Sequence, residues 1–111
     1  MPPVNIYTSR ERVKPLDGIL DGLRECIARE LSCKDRTLAS DEISLRVLVP
    51  EASRQIADTE LEIFAHHYPE RVERQDAICL SVQNYVQAQC PEAGSVYAWL
   101  SLGELGHSSR K

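Results

Sequence analysis

The segment from residue 43 to residue 50 reads ISLRVLVP, and it decides the fold class. Ile43, Leu45, Val47 and Val49 occupy every second position, and Pro50 follows them. This alternation predicts a strand with one buried face, because successive side chains of a strand point to opposite sides of a sheet. Three other segments alternate in the same way and are predicted to be strands: residues 3–8, 60–66 and 96–102.

Two helices are predicted between these strands. Residues 12–31 carry apolar side chains at three- and four-residue spacing, with Pro15 in the first turn. A second apolar stripe begins after Pro69 and ends before Pro91. The order β-α-β-β-α-β predicts an α/β (α+β) domain, in which a four-stranded mixed sheet carries both helices on one face.

The two halves of the chain also share residues. Glu11-Arg12-Val13 recurs as Glu70-Arg71-Val72 at a shift of 59 residues. Because the order of elements repeats as well, we predict an internal duplication of a βαβ unit, with parallel strands inside each unit. The chain is then one domain over residues 1–111, with a first repeat at 2–50, a second at 59–104 and a polar tail at 105–111.

Composition excludes several classes of function. The chain has 111 residues, a formal net charge of −4 and 42% hydrophobic residues. A single domain accounts for this length, and the acidic balance argues against nucleic-acid and membrane partners, which require a basic face. The four cysteines have no metal-ligand spacing and are interpreted as small core residues rather than a disulfide or a nucleophile. We predict a cytoplasmic protein.

The sheet face that points away from the helices carries both polar and large apolar residues. An open sheet with helices on one side must expose its second face to water or cover it with another chain. Another copy of this chain is the simplest cover. Large side chains on that face favour such a partner: Tyr7, Leu48, Phe64 and Trp99.

Pro2 is the most specific candidate for chemistry. Removal of the initiator methionine leaves a free secondary amine, and an α-amino group has a pKa near 8. Burial beside guanidinium groups lowers that pKa, so the amine would act as a general base near neutral pH. The alternative is that Pro2 simply begins a strand, and the catalytic interpretation depends on removal of Met1.

Arg12 and Arg46 are the candidate substrate-binding residues. A guanidinium binds a carboxylate through two parallel hydrogen bonds. Arg12 would lie at a helix start, where a cation opposes the helix dipole. The alternative to substrate binding is that Arg12 is a solvent-exposed residue without a ligand. Arg46 interrupts an apolar strand, and its alternative is a salt bridge to Glu60 or Glu62.

Pro2, Arg12 and the segment from Ser44 to Glu51 resemble the motifs of the tautomerase superfamily. Members of that family begin with a catalytic proline, and arginines follow near the end of the first strand and in the strand after the helix. The resemblance implies a cofactor-free isomerase, in which Pro2 moves a proton within a small carboxylated enol or 2-oxo acid while Arg12 and Arg46 hold the substrate. It also implies a homotrimer.

Two other interpretations stay open at this point. In the first, the chain is a non-catalytic domain of the same fold that binds a carboxylate or a protein. In the second, it is an unrelated ferredoxin-like domain with the same order of elements. Arg71 repeats Arg12 and is interpreted as a relic of duplication rather than a contributor to a neighbouring site. His66 and His67 are predicted to point to opposite faces of a strand, and His107 lies in the tail.

Overall fold

The computed structural model of the protein describes residues 2–106. Met1 and residues 107–111, with His107 and most of the predicted tail, lie outside the described residues. The strands are β1 (Pro3–Tyr7), β2 (Ser44–Leu48), β3 (Thr59–His66) and β4 (Val96–Gly103). All four strands predicted from alternation are therefore present, within one to two residues of their predicted ends.

The four strands form one mixed sheet in the order β2-β1-β3-β4. β1 is parallel to β2, β3 is parallel to β4, and β1 and β3 are antiparallel neighbours at the centre. The predicted fold class is confirmed. In a ferredoxin-like split βαβ unit another strand separates the two parallel strands, whereas here they are adjacent, so that alternative is wrong.

Each predicted helix is two helices, so the prediction of one continuous helix over residues 12–31 is wrong. The first region contains α1 (Arg10–Asp17) and α2 (Leu20–Leu31), and the second contains α3 (Pro69–Glu73) and α4 (Gln75–Gln89). Pro15 lies inside α1, where it has no amide proton to donate to the preceding turn. The Ile19 amide then donates to the Leu16 carbonyl only three residues back, and the helix restarts.

The core lies between the sheet and the longer helices. Burial alternates along β1, where Val4 and Ile6 are buried, and along β3, where Leu61, Ile63 and Ala65 are buried. These side chains pack against the apolar stripes of α2 and α4, which include Leu23, Ile27, Leu31, Ile78, Val82 and Val86. Because one stripe from each half meets the same central strands, neither half has a complete core alone.

The cysteines belong to this packing. Among the described residues all four are free, and Cys26, Cys33 and Cys90 are buried. Burial raises the pKa of the Cys26, Cys79 and Cys90 thiols above the ordinary value. These three thiols therefore stay protonated at neutral pH, which fits the interpretation as core residues.

The sheet face opposite the helices carries a polar network beside exposed apolar side chains. Glu62 Oε1 accepts hydrogen bonds from the Tyr7 hydroxyl at 3.0 Å and from the Asn5 amide at 3.1 Å. Tyr97 and Trp99 stack edge to face with ring centroids 5.4 Å apart, and Tyr97 is 45% exposed. Among residues 2–106, no helix is long and apolar enough to cross a membrane.

Candidate active site

One cavity of 340 Å³ lies at the end of the sheet where β1 begins and β3 ends. The antiparallel pairing of β1 with β3 brings these two strand ends together, although they are more than 60 residues apart in sequence. The loop after α2 and the start of α3 complete the walls. The cavity is lined by Pro2, Pro3, Arg36, Leu38, His66, Tyr68, Arg71, Leu105 and Gly106.

Pro2 is buried at this cavity. Its carbonyl accepts a hydrogen bond from the Ser44 amide at 3.1 Å, which extends the ladder between β1 and β2 by one residue. The residue that precedes the strand is therefore held by the sheet, and its ring borders the cavity. The position of Pro2 behind Met1 made it a candidate for chemistry, and the structure places it at a concave site.

Arg71 lines the same cavity and is only 3% exposed. Its Nε donates to the Leu31 carbonyl at 2.7 Å, its Nη1 donates to the His66 carbonyl at 2.9 Å, and its guanidinium carbon lies 4.8 Å from the centre of the Tyr68 ring. Among residues 2–106 it forms no ion pair with a carboxylate. Burial lowers its pKa, but an arginine stays charged in proteins. The cavity wall therefore contains a desolvated cation that no carboxylate of residues 2–106 balances.

Arg71 was interpreted from the repeat as a relic of duplication, and the structure places it buried at the Pro2 cavity of its own chain. The repeat did reveal the residue. Its position beside Pro2 could not be predicted without the pairing of β1 with β3. α3 starts just after β3 ends and therefore lies beside the start of β1.

Arg36 is the second guanidinium of the cavity, and it is paired. Its Nη2 lies 2.5 Å from Glu42 Oε1, and its Nη1 donates to the Thr37 carbonyl at 2.6 Å. A pair of backbone hydrogen bonds between Cys33 and Arg36 holds this turn. Arg36 was not predicted, because it lies in a polar stretch without periodicity.

His66 and Tyr68 form the wall contributed by the end of β3. Their rings meet edge to face with centroids 5.0 Å apart, and His66 Nδ1 accepts a hydrogen bond from the Leu105 amide at 3.4 Å. His67 is exposed, as expected for a neighbour on the opposite face. His66 and Tyr68 were not predicted as site residues. The sequence feature that could have indicated them is their position just before Pro69, which opens a helix.

Arg12 lies at the other end of the sheet. It lines a cavity of 430 Å³ where β1 ends and β3 begins, together with Ser9 and Asp58. Its Nη1 donates to Ser9 Oγ at 2.6 Å, its Nη2 lies 3.8 Å from Asp58 Oδ1, and its buried Nε has no hydrogen-bond partner among residues 2–106. Arg12 thus has the place in this second cavity that Arg71 has in the first, with Asp58 as an internal counter-ion.

Arg46 lies on the exposed sheet face, where it lines neither of these cavities. Its Nη1 donates to Asn5 Oδ1 at 2.9 Å and its Nη2 donates to Ser44 Oγ at 2.8 Å. Among residues 2–106 Arg46 forms no salt bridge with Glu60 or Glu62, which was the alternative to substrate binding. Asn5 lies between Arg46 and Glu62 and is hydrogen-bonded to both. Within one chain, then, Pro2, Arg12 and Arg46 do not share a site.

Solved structures with this arrangement of strands and helices are known. A fused 4-OT described as a symmetric trimer superposes with a TM-score of 0.67 at 12% identity, covering 92% of this chain and 85% of the other. A 5-carboxymethyl-2-hydroxymuconate delta-isomerase gives 0.65 at 14% identity, covering 100% and 88%. A macrophage migration inhibitory factor-like protein from Entamoeba histolytica gives 0.62 at 10% identity, covering 96% and 95%.

The chain has the tautomerase fold. No family model and no curated protein matches the sequence, so this assignment rests on the structure. At 10–14% identity the likeness concerns the fold, and the chemistry must be argued from this chain's own residues.

In this chain two cavities lie at opposite ends of the central strand pair, and they differ in their charged groups. The cavity at Pro2 holds Arg71, which has no carboxylate partner among residues 2–106, whereas the second holds Arg12 beside Asp58. Among residues 2–106 no cluster of three or more His, Cys, Asp or Glu side chains is arranged to hold a metal ion. The first cavity is therefore the candidate active site.

We expect the ionised side chain of Asp58, in the second cavity, to stabilise the fold. Its Oδ2 accepts hydrogen bonds from the Ser95 amide at 3.0 Å and the Ser95 hydroxyl at 3.2 Å. These bonds, followed by the charge of Arg12, hold the pKa of the carboxyl below its ordinary value. A carboxyl whose pKa is lower in the folded state stabilises the fold above its unfolded pKa, and this contribution is lost as the pH falls through the folded pKa.

We expect Asp58→Asn to lower the melting temperature at pH 7, and we expect the gap from wild type to narrow as the pH falls from about 5 to about 3. Thermal melts followed by circular dichroism measure this. Asp35→Asn is the matched control, because Asp35 is exposed and forms no hydrogen bond or ion pair among residues 2–106. A gap for Asp58→Asn that is the same at every pH would contradict the prediction.

Proposed function

We propose that this chain is a cofactor-free tautomerase or isomerase acting on a small carboxylated enol or 2-oxo acid, with Pro2 as its general base. One observation carries the proposal: the cavity that contains Pro2 also contains a nearly fully buried arginine that has no carboxylate partner among residues 2–106. A buried cation of this kind is costly unless an anion pairs with it, and a substrate carboxylate supplies that anion.

In the proposed reaction the uncharged amine of mature Pro2 takes the proton from the enol oxygen. The oxygen forms the carbonyl as the electron pair of the carbon–carbon double bond moves to the neighbouring carbon. That carbon takes a proton from the resulting ammonium group, so the amine is regenerated and the proton has moved from oxygen to carbon. Burial of Pro2 and the nearby guanidinium groups favour the uncharged amine that the first step requires.

Arg71 would hold the carboxylate of the substrate and fix its distance from the amine. Two of its N–H groups are used by the Leu31 and His66 carbonyls, so the guanidinium is already oriented before a ligand arrives. Such preorganised donors stabilise developing negative charge without reorganisation. No cofactor takes part in these steps.

Arg12 and Arg46 remain proposed substrate-binding residues, but across a subunit boundary. Neither lines the Pro2 cavity of its own chain, and Arg46 lies on the sheet face that we propose is covered by other copies in a homotrimer. The exposed Tyr97 and Leu48 on or beside that face support the trimer, as do the structural relatives described as trimers. The free buried thiols favour a reducing compartment, and we propose the cytoplasm.

The proposal is tested by ketonisation of phenylenolpyruvate. We expect turnover by a chain whose intact mass shows loss of Met1, and we expect Arg71→Met to lower kcat/KM by about 10- to 150-fold, because a hydrogen bond to a charged group contributes about 1.5–3 kcal/mol. The loss should fall mainly on KM, since Arg71 binds the carboxylate rather than the reacting carbon.

Arg29→Met is the matched control, because Arg29 is exposed on α2 and lies outside both cavities. Arg71→Lys keeps the charge but cannot reproduce the planar guanidinium, so it should restore only part of the activity. Wild-type turnover no faster than the reaction in buffer would contradict the proposed function. Binding of the product acid without turnover would instead favour a non-catalytic carboxylate-binding domain.

A further inference from the structure

We infer that His66 is a second catalytic residue of the Pro2 cavity, and that its Nε2–H donates a hydrogen bond to the oxygen that becomes the carbonyl of the product. The inference rests on the proposed function and adds the group that stabilises charge on this oxygen. Of the residues that line the cavity within one chain, Pro2 is the proposed base and Arg71 is the proposed partner of the carboxylate. The oxygen on the neighbouring carbon therefore has no partner assigned from this chain.

The imidazole of His66 is oriented by contacts within its own chain. Its Nδ1 accepts a hydrogen bond from the Leu105 amide at 3.4 Å. A neutral imidazole has one donor and one acceptor nitrogen, so the proton of the ring lies on Nε2. The ring also meets the Tyr68 ring edge to face, with centroids 5.0 Å apart. Because the side-chain hydrogen bond of His66 among residues 2–106 uses Nδ1, the Nε2–H is left for a ligand.

The imidazole and the cation of Arg71 belong to the same wall. The His66 carbonyl accepts a hydrogen bond from Arg71 Nη1 at 2.9 Å, and both residues line the cavity at Pro2. In a 2-oxo acid or its enol, the carboxylate and the 2-oxygen are on adjacent carbons, so the groups that bind them must also be neighbours. Arg71 supplies the cation for the carboxylate, and the neutral donor of His66 suits the adjacent oxygen.

A donor at the 2-oxygen lowers the barrier because negative charge develops there. As Pro2 removes the enol proton, the electron pair of the O–H bond stays on the oxygen until the carbonyl forms. The hydrogen bond from Nε2–H strengthens as this charge grows, and the proton remains on Nε2 throughout. Because Leu105 and Tyr68 hold the ring before a ligand arrives, the donor is preorganised for the transition state.

Three substitutions of His66 separate the roles of its two nitrogens. The amide nitrogen of glutamine can take the place of Nε2, that of asparagine can take the place of Nδ1, and phenylalanine has neither. We expect His66→Phe and His66→Asn to lower kcat for ketonisation of phenylenolpyruvate by about 10²-fold, as for the loss of one preorganised donor. We expect His66→Gln to lower it by about tenfold or less. Because the bond strengthens in the transition state, kcat and kcat/KM should fall together, unlike the effect on KM expected for Arg71→Met.

His67→Phe is the matched control, because His67 is the next residue, is exposed and lies outside the cavity. Its kcat should equal that of wild type. A His66→Phe variant that melts like wild type and keeps the wild-type kcat would overturn the inference. A His66→Gln variant that loses as much activity as His66→Asn would overturn it as well, and this comparison holds even where His66→Phe does not fold.

Binding of two unreactive acids separates this inference from the proposed function. Phenylglyoxylate has the 2-oxygen but no proton to transfer, and phenylacetate lacks that oxygen. We expect calorimetry to show that wild type binds phenylglyoxylate about 2- to 10-fold more tightly, and that His66→Phe abolishes this preference while His66→Gln keeps it. That result for a chain without turnover would support the donor assigned to His66 and overturn the proposed function. Turnover by wild type, with the same preference in wild type and His66→Phe, would overturn the inference alone.

Discussion

A chain that retains Met1 is expected to ketonise phenylenolpyruvate about 10²- to 10⁴-fold more slowly than the mature chain, which is the usual contribution of a general base. The physical reason is the electronic state of one nitrogen. Behind Met1 the nitrogen of Pro2 belongs to an amide, whose lone pair is delocalised and does not accept a proton. After removal of Met1 the same nitrogen is a basic secondary amine in a cavity that also holds Arg71.

Three preparations, each verified by intact mass, make this measurement specific: the mature chain, the chain that retains Met1, and Pro2→Ala without Met1. Treatment of the retained chain with a methionine aminopeptidase should restore the rate. Pro2→Ala keeps a primary amine and is expected to fall between the other two. Equal rates for the mature chain and the retained chain would remove Pro2 from the mechanism.

Ile63→Ala is expected to lower the free energy of unfolding by about 4 kcal/mol, within the usual range of about 2–5 kcal/mol for a buried aliphatic side chain cut to alanine. Ile63 is fully buried in β3, which pairs with β1 on one side and β4 on the other. The cavity left behind lies between the central strands and both long helices, where the surrounding side chains cannot close it completely.

Ile56→Ala is the matched control, because Ile56 is 75% exposed and should change the free energy of unfolding by less than about 0.5 kcal/mol. Urea titrations at a single protein concentration measure both variants, since association of subunits adds to the apparent stability. A loss for Ile63→Ala of less than about 1 kcal/mol would contradict the packing described for the core.

The alternation around Leu45 and Val47 was sufficient to predict the strands. In a strand with one buried face, every second residue is apolar, and this two-residue period distinguishes a strand from a helix. The observed pairing of β1 with β2 and of β3 with β4 agrees with the predicted strands. The helix breaks were not predictable in the same way. Apolar spacing continues across Gly18, because α1 buries Leu16 and α2 buries Leu23 and Ile27 in the same core although the backbone is interrupted.

The site was predicted only in part. Pro2 has a local chemical signal, since a proline behind the initiator methionine can become a free amine. Arg36 has none, because it lies in a loop whose cavity face depends on the backbone bridge to Cys33. Arg71 was visible as a repeat of Arg12, yet nothing in the repeat indicates that each arginine faces the start of the other half.

The sequence by itself therefore determined the strands and the two apolar stripes, and it singled out the nitrogen of Pro2 as the proposed base, because each of these depends on neighbours along the chain. Only the tertiary structure decided which cation shares a cavity with that nitrogen. Because β1 and β3 are antiparallel, the start of each strand lies beside the end of the other. Arg71 therefore lies at the same cavity as Pro2, and Arg12 lies beside Asp58. Contacts of that kind join residues far apart in sequence and leave no periodic trace in it.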